Sequence, residues 1–225
     1  MKHGKKYKES KNLIDSGKAY PLAEAVELLK KTLTTKFDAT VEIAVNTHAN
    51  PKFNDQMIRA TMIPPHGTGK SKRIAVFVAD DKADEAKKAG ADIAGFEAVL
   101  TDLKAGKFDF DILITSPEHI RDLAPVAKQL GPKGLMPSPK AGTVSPNIPL
   151  AVEEFKKGKI ELKLDKTGNI HSSIGKISFD AKQLEENIES FMKSVNDNKP
   201  VGVKGKLIKK VVISTTMGPG IQIEA

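Results

Sequence analysis

Apolar and polar positions along the chain follow two different patterns. The first segment, residues 2–15, is lysine-rich and reads as a basic arm or a short helix. Behind Pro21, whose missing N–H costs nothing at a helix start, Leu22, Ala25, Val26, Leu29 and Leu33 recur at three- and four-residue spacing. That is an amphipathic helix. Val41, Ile43 and Val45 then alternate with Glu42, Ala44 and Asn46, a strand with one wet face. A second strand is expected over Ile58–Ile63, stopped by Pro64 and Pro65. From residue 74 the pattern changes. Ile74–Ala79 is apolar without alternation, as expected of a strand buried on both faces, and so is Asp111–Thr115 after its first residue. Helices are predicted over Lys82–Ala89, closed by Gly90, and over Phe96–Lys104. Another should start at Ser116-Pro117, a good cap, and run to about Leu130.

After residue 150 alternation returns. Lys159–Asp165 is strictly alternating, Asp165-Lys-Thr-Gly168 suits a turn, and Asn169–Ile174 reads as the second arm of a hairpin. Asp180 is placed to cap a long helix with Leu184, Ile188, Phe191, Met192 and Val195 on one face. Leu207–Thr215 is a last alternating strand, ended by Thr216-Met-Gly-Pro-Gly220. The expected fold class is therefore α/β and α+β in two domains. A discontinuous antiparallel α+β domain, 1–67 plus 158–225, carries an inserted Rossmann-like parallel α/β domain, 68–157. Crossings are expected near Pro64–Ser71 and near Thr143–Pro149. Two such connections allow a hinge. Two independent domains in series is the weaker alternative, because neither flanking half carries a full core.

Charge separates the same two parts. The 225 residues carry 36 Lys+Arg against 28 Asp+Glu, a formal charge of +8. Residues 68–157 hold 14 cations and 13 anions, and the two ends together hold 22 and 15, so nearly all the excess lies in the split domain. The only arginines are Arg59, Arg73 and Arg121. Lysine is a compact charge suited to phosphate, whereas bidentate reading of guanine edges favours arginine. The split domain should hold a polyanion by backbone and shape. There is no Cys, which excludes disulfides and thiol chemistry. The longest apolar run, Ile74–Ala79, is far below the roughly 18 residues that suggest a membrane span. No secretory signal opens the chain.

Catalytic patterns are poor. Pro65-His-Gly-Thr-Gly-Lys-Ser71 resembles a phosphate loop, but Pro64 stands where the first glycine is needed, and the loop precedes its strand. It reads better as a glycine-rich crossing. Gly131-Pro-Lys-Gly134 matches a KH-type GxxG loop, but Leu-Met-Pro-Ser-Pro follows and cannot start a helix. The stretch Gly131–Gly142 is stiff, either presenting a surface or capping the parallel sheet. His3, His48, His66, His119 and His171 lack metal spacing. No nucleophile elbow and no dinucleotide loop is present. Two groups remain. Lys36-Phe37 precedes the strand Thr40–Val45, and Ser214-Thr-Thr-Met-Gly218 closes the last one. A lysine beside an aromatic, hydroxyls, and backbone freed by glycine are groups that bind phosphate, a base face and a ribose 2′-OH. Against this, Phe37 could serve the core and Thr-Thr could reflect strand propensity. The competing function is a nucleotide- or phosphate-using enzyme on the middle α/β unit.

Several stretches together resemble one family. They are Lys36-Phe-Asp38 with Thr40-Val-Glu42, Pro65-His-Gly67 with Gly69-Lys70, and Gly131–Pro137 with Pro139–Val144. Asp165–Gly168, Ile170-His171, Gly175-Lys176 and Thr215-Thr-Met-Gly-Pro219 complete the set. In this order they are similar to the bacterial large-ribosomal-subunit protein L one family, which forms the mobile stalk beside the exit site. The resemblance implies a ribosome-bound cytoplasmic protein that is not an enzyme, is a monomer when free, and needs no cofactor, metal or membrane. It implies binding of large-subunit rRNA, help in releasing deacylated exit-site tRNA, and repression of translation from its own mRNA. The RNA-facing residues it implies are Lys36, Phe37, Thr40, Glu42, His171, Lys176, Ser214, Thr216, Met217 and Gly218. Glu42 is expected to hold a nearby lysine or a ribose hydroxyl rather than phosphate.

Overall fold

Hydrophobic alternation at both chain ends and unbroken apolar runs in the middle give two compact units. The computed structural model describes residues 4–15 and 17–224, so His3 lies outside the described residues. Along the chain come α1 (Lys5–Asn12), α2 (Leu22–Lys31), β1 (Thr40–Thr47) and β2 (Arg59–Met62). Then follow β3 (Ile74–Phe77), α3 (Asp80–Lys88), β4 (Ile93–Ala94), α4 (Phe96–Lys104), β5 (Ile112–Thr115), α5 (Ala127–Lys133) and α6 (Ile148–Lys156). Last come β6 (Ile160–Lys163), β7 (Asn169–Lys176), α7 (Ala181–Asp197), β8 (Ile208–Thr215) and β9 (Ile221–Ile223). One unit comprises the two chain ends, up to Gly69 and from Ile160; the other runs from Lys70 to Lys159.

In the terminal unit four strands pair antiparallel in the order β7-β1-β8-β9. Val41, Ile43 and Val45 of β1 point to one face with Ile170, Ile174, Val211 and Ile213, and all are buried. The apolar stripes of α2 (Ala25, Val26, Leu29) and α7 (Leu184, Ile188, Phe191, Val195) join the same core. Burying each large side chain of this set contributes about 1.5–3 kcal/mol. Asp180 and Gln183 close a capping box at the start of α7, with Asp180 N donating to Gln183 Oε1 at 3.1 Å. The opposite sheet face stays open, with Glu42 and His171 exposed.

In the middle unit β4-β3-β5 form a parallel sheet. Alternate residues of β3 serve opposite faces. Ile74 and Val76 pack with α3 and α6, while Ala75 and Phe77 pack with α4 and α5. Burial on both sides is why this strand shows no polar alternation. The mixed class, with one antiparallel and one parallel sheet, is as the sequence implies.

Four local expectations are corrected. The helix after Ser116-Pro117 begins as a 3-10 helix, Ile120–Val126, and becomes α5 only at Ala127. Pro125 in that run has no N–H to give, and the buried Ser116 hydroxyl caps nothing. Asn169–Ile174 is not the second arm of a hairpin. Strand β6 pairs with β2 and β7 with β1, leaving one bridge, Leu164 to Ile170, between them. Thr143–Pro149 is not a crossing. Thr115 N donates to Thr143 O at 3.0 Å, Val144 bridges beside the end of β5, and Ile148 and Ala151 of α6 lie in the core of the parallel unit. The chain leaves that unit only after Lys159. Leu33 falls beyond α2.

Candidate nucleic-acid interface

Strand pairing gathers residues far apart in sequence at one end of the antiparallel sheet. Thr40 stands opposite Lys176, and Val41 opposite Thr215. Lys176 Nζ donates to Asp38 O at 3.3 Å and to Thr40 Oγ1 at 3.2 Å. Thr40 N donates to Thr216 Oγ1 at 3.2 Å, and Thr216 N donates to Thr40 O at 3.0 Å. The Asp38 carboxylate is occupied by Ser178, accepting from its N at 3.2 Å and its Oγ at 3.0 Å. It therefore fixes the approach to β1 and does not face outward as a free anion.

The turn after β8 is tight. Gly218 N donates to Thr215 O at 2.9 Å, and the Thr215 hydroxyl occupies the space a Cβ on residue 218 would need. Met217 adopts a left-handed φ of 69° and is 73 % exposed. Phe37 is 56 % exposed, so it does not serve the core. Two large apolar side chains thus stand in water, one next in sequence to Lys36 and the other to Thr216.

The open face carries the second group. Glu42 pairs with Ser214 on one side and Ser173 on the other, and Ala44 pairs with His171. His171 sits five residues from Lys176 along β7, about 17 Å at strand rise. The implied RNA-facing residues are thus Lys36, Phe37, Thr40, Lys176, Thr216, Met217 and Gly218 at the sheet end, and Glu42, Ser214 and His171 on its open face. Glu42 makes no ion pair among the described residues, so it does not hold a lysine. Its carboxylate is free to accept from a ribose hydroxyl. Asn46 shares this face, as the alternation predicts, and so do Ser173 and Lys210, which were not anticipated. Only the register β7-β1-β8 reveals them.

Beside His171 the Asp165–Gly168 turn is held by one carboxylate. Asp165 Oδ1 accepts from Asn169 N at 2.7 Å and from Thr167 N at 2.8 Å, and Thr167 Oγ1 also donates to it. The Asn169 backbone bond is the largest cause, followed by the Thr167 side chain, of a carboxyl pKa lowered from 3.8 to about 2. His171 Nε2 lies 3.6 Å away and adds a smaller lowering. A depressed carboxyl stabilises the turn fully above the unfolded pKa and stops doing so as pH falls through the folded one. In an NMR titration the Asn169 amide shift should stay flat from pH 5 to 3.5 and move only near pH 2. A midpoint near 3.8 would show that the carboxylate does not hold the turn.

Among the described residues no three His, Cys, Asp or Glu side chains converge on a metal position. Gly67 and Gly69 precede β3, and the segment Val78–Ala79 that leads from β3 into α3 has no glycine, so no phosphate-cradling loop exists there. No helix among the described residues is long and apolar enough to cross a membrane.

The sequence profile of the ribosomal protein L1p/L10e family matches residues 29–219. The chain belongs to that family. It is 51 % identical over 224 residues to the large ribosomal subunit protein uL1 of Fervidobacterium nodosum, covering 99 % of this chain and 95 % of that one. It is 50 % identical to the uL1 of Thermosipho africanus, covering 99 % and 97 %. The uL1 of Kosmotoga olearia is 45 % identical over 223 residues, covering 99 % and 96 %. The L1p/L10e family consists of structural ribosomal proteins and not of enzymes, which removes the alternative of a nucleotide-using enzyme on the parallel unit. The matched range includes the sheet end, from Lys36 to Gly218.

Proposed function

We propose that this protein is a constituent of the large ribosomal subunit, bound in the cytoplasm to large-subunit rRNA through the terminal unit. The observation that carries the reading is the joining of Thr40, Lys176 and Thr216 by hydrogen bonds at one end of the sheet, with Phe37 and Met217 exposed on the segments that enter and leave it. Lysines meet phosphates, Ser214, Thr216 and Glu42 meet ribose hydroxyls, and Phe37 and Met217 meet base or sugar faces, while the buried Thr40 holds the Lys176 ammonium. Binding is then a match to a folded RNA, as the low arginine content suggests. Family membership supports two further roles. Stalk movement assists release of deacylated tRNA from the exit site, and the same platform binds a site of similar shape on the protein's own mRNA, repressing its translation. The free protein is a monomer.

The terminal unit has its own core and most of the excess charge. Joined directly, without residues 70–159, it should retain most of the affinity of the full chain for a stalk-region rRNA fragment in filter binding. The isolated 70–159 unit should not bind. Equal affinity in the two units would overturn the reading. Co-sedimentation with large subunits should persist at high salt, where nonspecific phosphate contacts are lost steeply.

A further inference from the structure

The polypeptide that leaves the terminal unit after β2 is fastened to the rRNA platform. Asn187 of α7 is wholly buried. Its Oδ1 accepts from His66 N at 3.0 Å, and its Nδ2 donates to Gly67 O at 3.0 Å and Ile174 O at 2.9 Å. The His66 ring meets the Glu186 carboxylate at 2.5 Å. Two residues after Gly67, Gly69 has φ +66°, and a Cβ there would lie 2.8 Å from Lys176 Cγ and 3.1 Å from the Phe179 ring. The aliphatic stem of Lys176 therefore lies directly on the backbone of residue 69. From that support its ammonium reaches Asp38 O and Thr40 Oγ1. Phe179 is held in turn, since its carbonyl accepts from Lys30 Nζ at 2.7 Å.

We propose that Gly69 is a positioning residue for RNA binding: the backbone of this crossing is the wall that aims the Lys176 ammonium into the platform. The proposal rests on the platform reading above, and it adds a component that touches no RNA. A lysine stem left free samples many rotamers, and holding it in one avoids an ordering cost on binding. The coupling is reciprocal: whatever displaces residue 69 alters RNA affinity, and bound RNA favours, by the same factor, crossing conformations that keep the stem in place.

The deciding substitution is Gly69→Asn, tested in the full-length chain. Asparagine tolerates left-handed backbone but adds a Cβ, so it separates crowding from a need for positive φ. In filter binding to a stalk-region rRNA fragment across a KCl series, Gly69→Asn should weaken affinity by about five- to tenfold. The log–log salt slope should fall by about 0.7–0.9, one phosphate contact. Lys176→Met, which keeps the stem and removes the charge, should do the same, and the double variant should be no worse than either. Thr40→Val, which removes one acceptor of the ammonium, is the second approach should Gly69→Asn not fold, and it too should be non-additive with Lys176→Met. Without RNA, the NMR signal of the Lys176 ammonium should shift to that of a free lysine in Gly69→Asn. Additive losses, or an ammonium signal unchanged in Gly69→Asn, would overturn the proposal. If the unaltered chain fails to bind the fragment, the platform reading falls, while the ammonium signal still decides the positioning claim.

Discussion

Met217→Asp should weaken binding to a stalk-region rRNA fragment by about ten- to a hundredfold, roughly 1.4–2.7 kcal/mol. The substitution leaves the fold alone and changes the surface. Residue 217 is 73 % exposed and has a φ of 69°, a conformation that aspartate accepts better than most residues. It removes an apolar face and puts an anion on a turn that is to meet phosphates. Thr216→Val reaches the same site from beneath. Thr216 Oγ1 accepts from Thr40 N at 3.2 Å across 176 residues of sequence. Valine keeps the volume, loses the acceptor, and removes the hydroxyl offered to a ribose. It should cost affinity in the same range. Filter binding with both variants is the measurement, with the tyrosine near-ultraviolet spectrum as the check on folding. Unchanged affinity in both would remove the β8 turn from the site.

The chemistry of that turn was legible before its geometry. Ser214–Gly218 and Lys36-Phe37 stand out by residue type as groups able to bind phosphate, a base face and a ribose hydroxyl, while core packing and strand propensity account for the same residues in sequence. Exposure of Phe37 then excludes the core reading. Ser173 and Lys210 were not legible. Each is an ordinary polar residue until the register sets Ser173 beside Glu42 and Lys210 opposite Asn46. A strand advertises its buried face by alternation, and its partners are chosen elsewhere. The false hairpin at Asn169–Ile174 has the same origin. The Asp165 turn is real, but β7 pairs along its length with β1, and β6 with β2. Long elements with one dominant face, α7 and β1, read directly. The 3-10 turn after Ser116 and the three-residue β9 did not, since Pro125 and Pro219-Gly220 break the period that would mark them. The crossing expected near Thr143–Pro149 has a compositional origin. Proline and glycine around residues 142–149 resemble a linker, and only packing shows Ile148 and Val152 inside the parallel unit.

Asn187→Leu should lower the stability of the terminal unit by about 3 kcal/mol. Asn187 has no exposure on the apolar face of α7, between the buried Leu184 and Phe191, where a hydrophobic residue would fit the pattern. Leucine restores that pattern and matches the volume. What it cannot replace are three bonds: from His66 N, to Gly67 O and to Ile174 O. The bond to Ile174 O is buried, and water cannot readily substitute for it. An unsatisfied buried backbone group costs about 1–3 kcal/mol, and the gain in apolar burial offsets part of the sum. Urea unfolding can isolate the effect. The chain has two tyrosines and no tryptophan, and Tyr7 and Tyr20 both fall in the terminal unit, so tyrosine fluorescence reports that unit alone. With a slope of about 1–3 kcal/mol per molar, the midpoint should fall by roughly 1–3 M. Amide exchange in Ile74–Phe77 of the parallel unit should not change. A midpoint equal to that of the unaltered chain would mean that the segment from His66 to Gly67 is held by the surrounding packing and that the amide of Asn187 is dispensable.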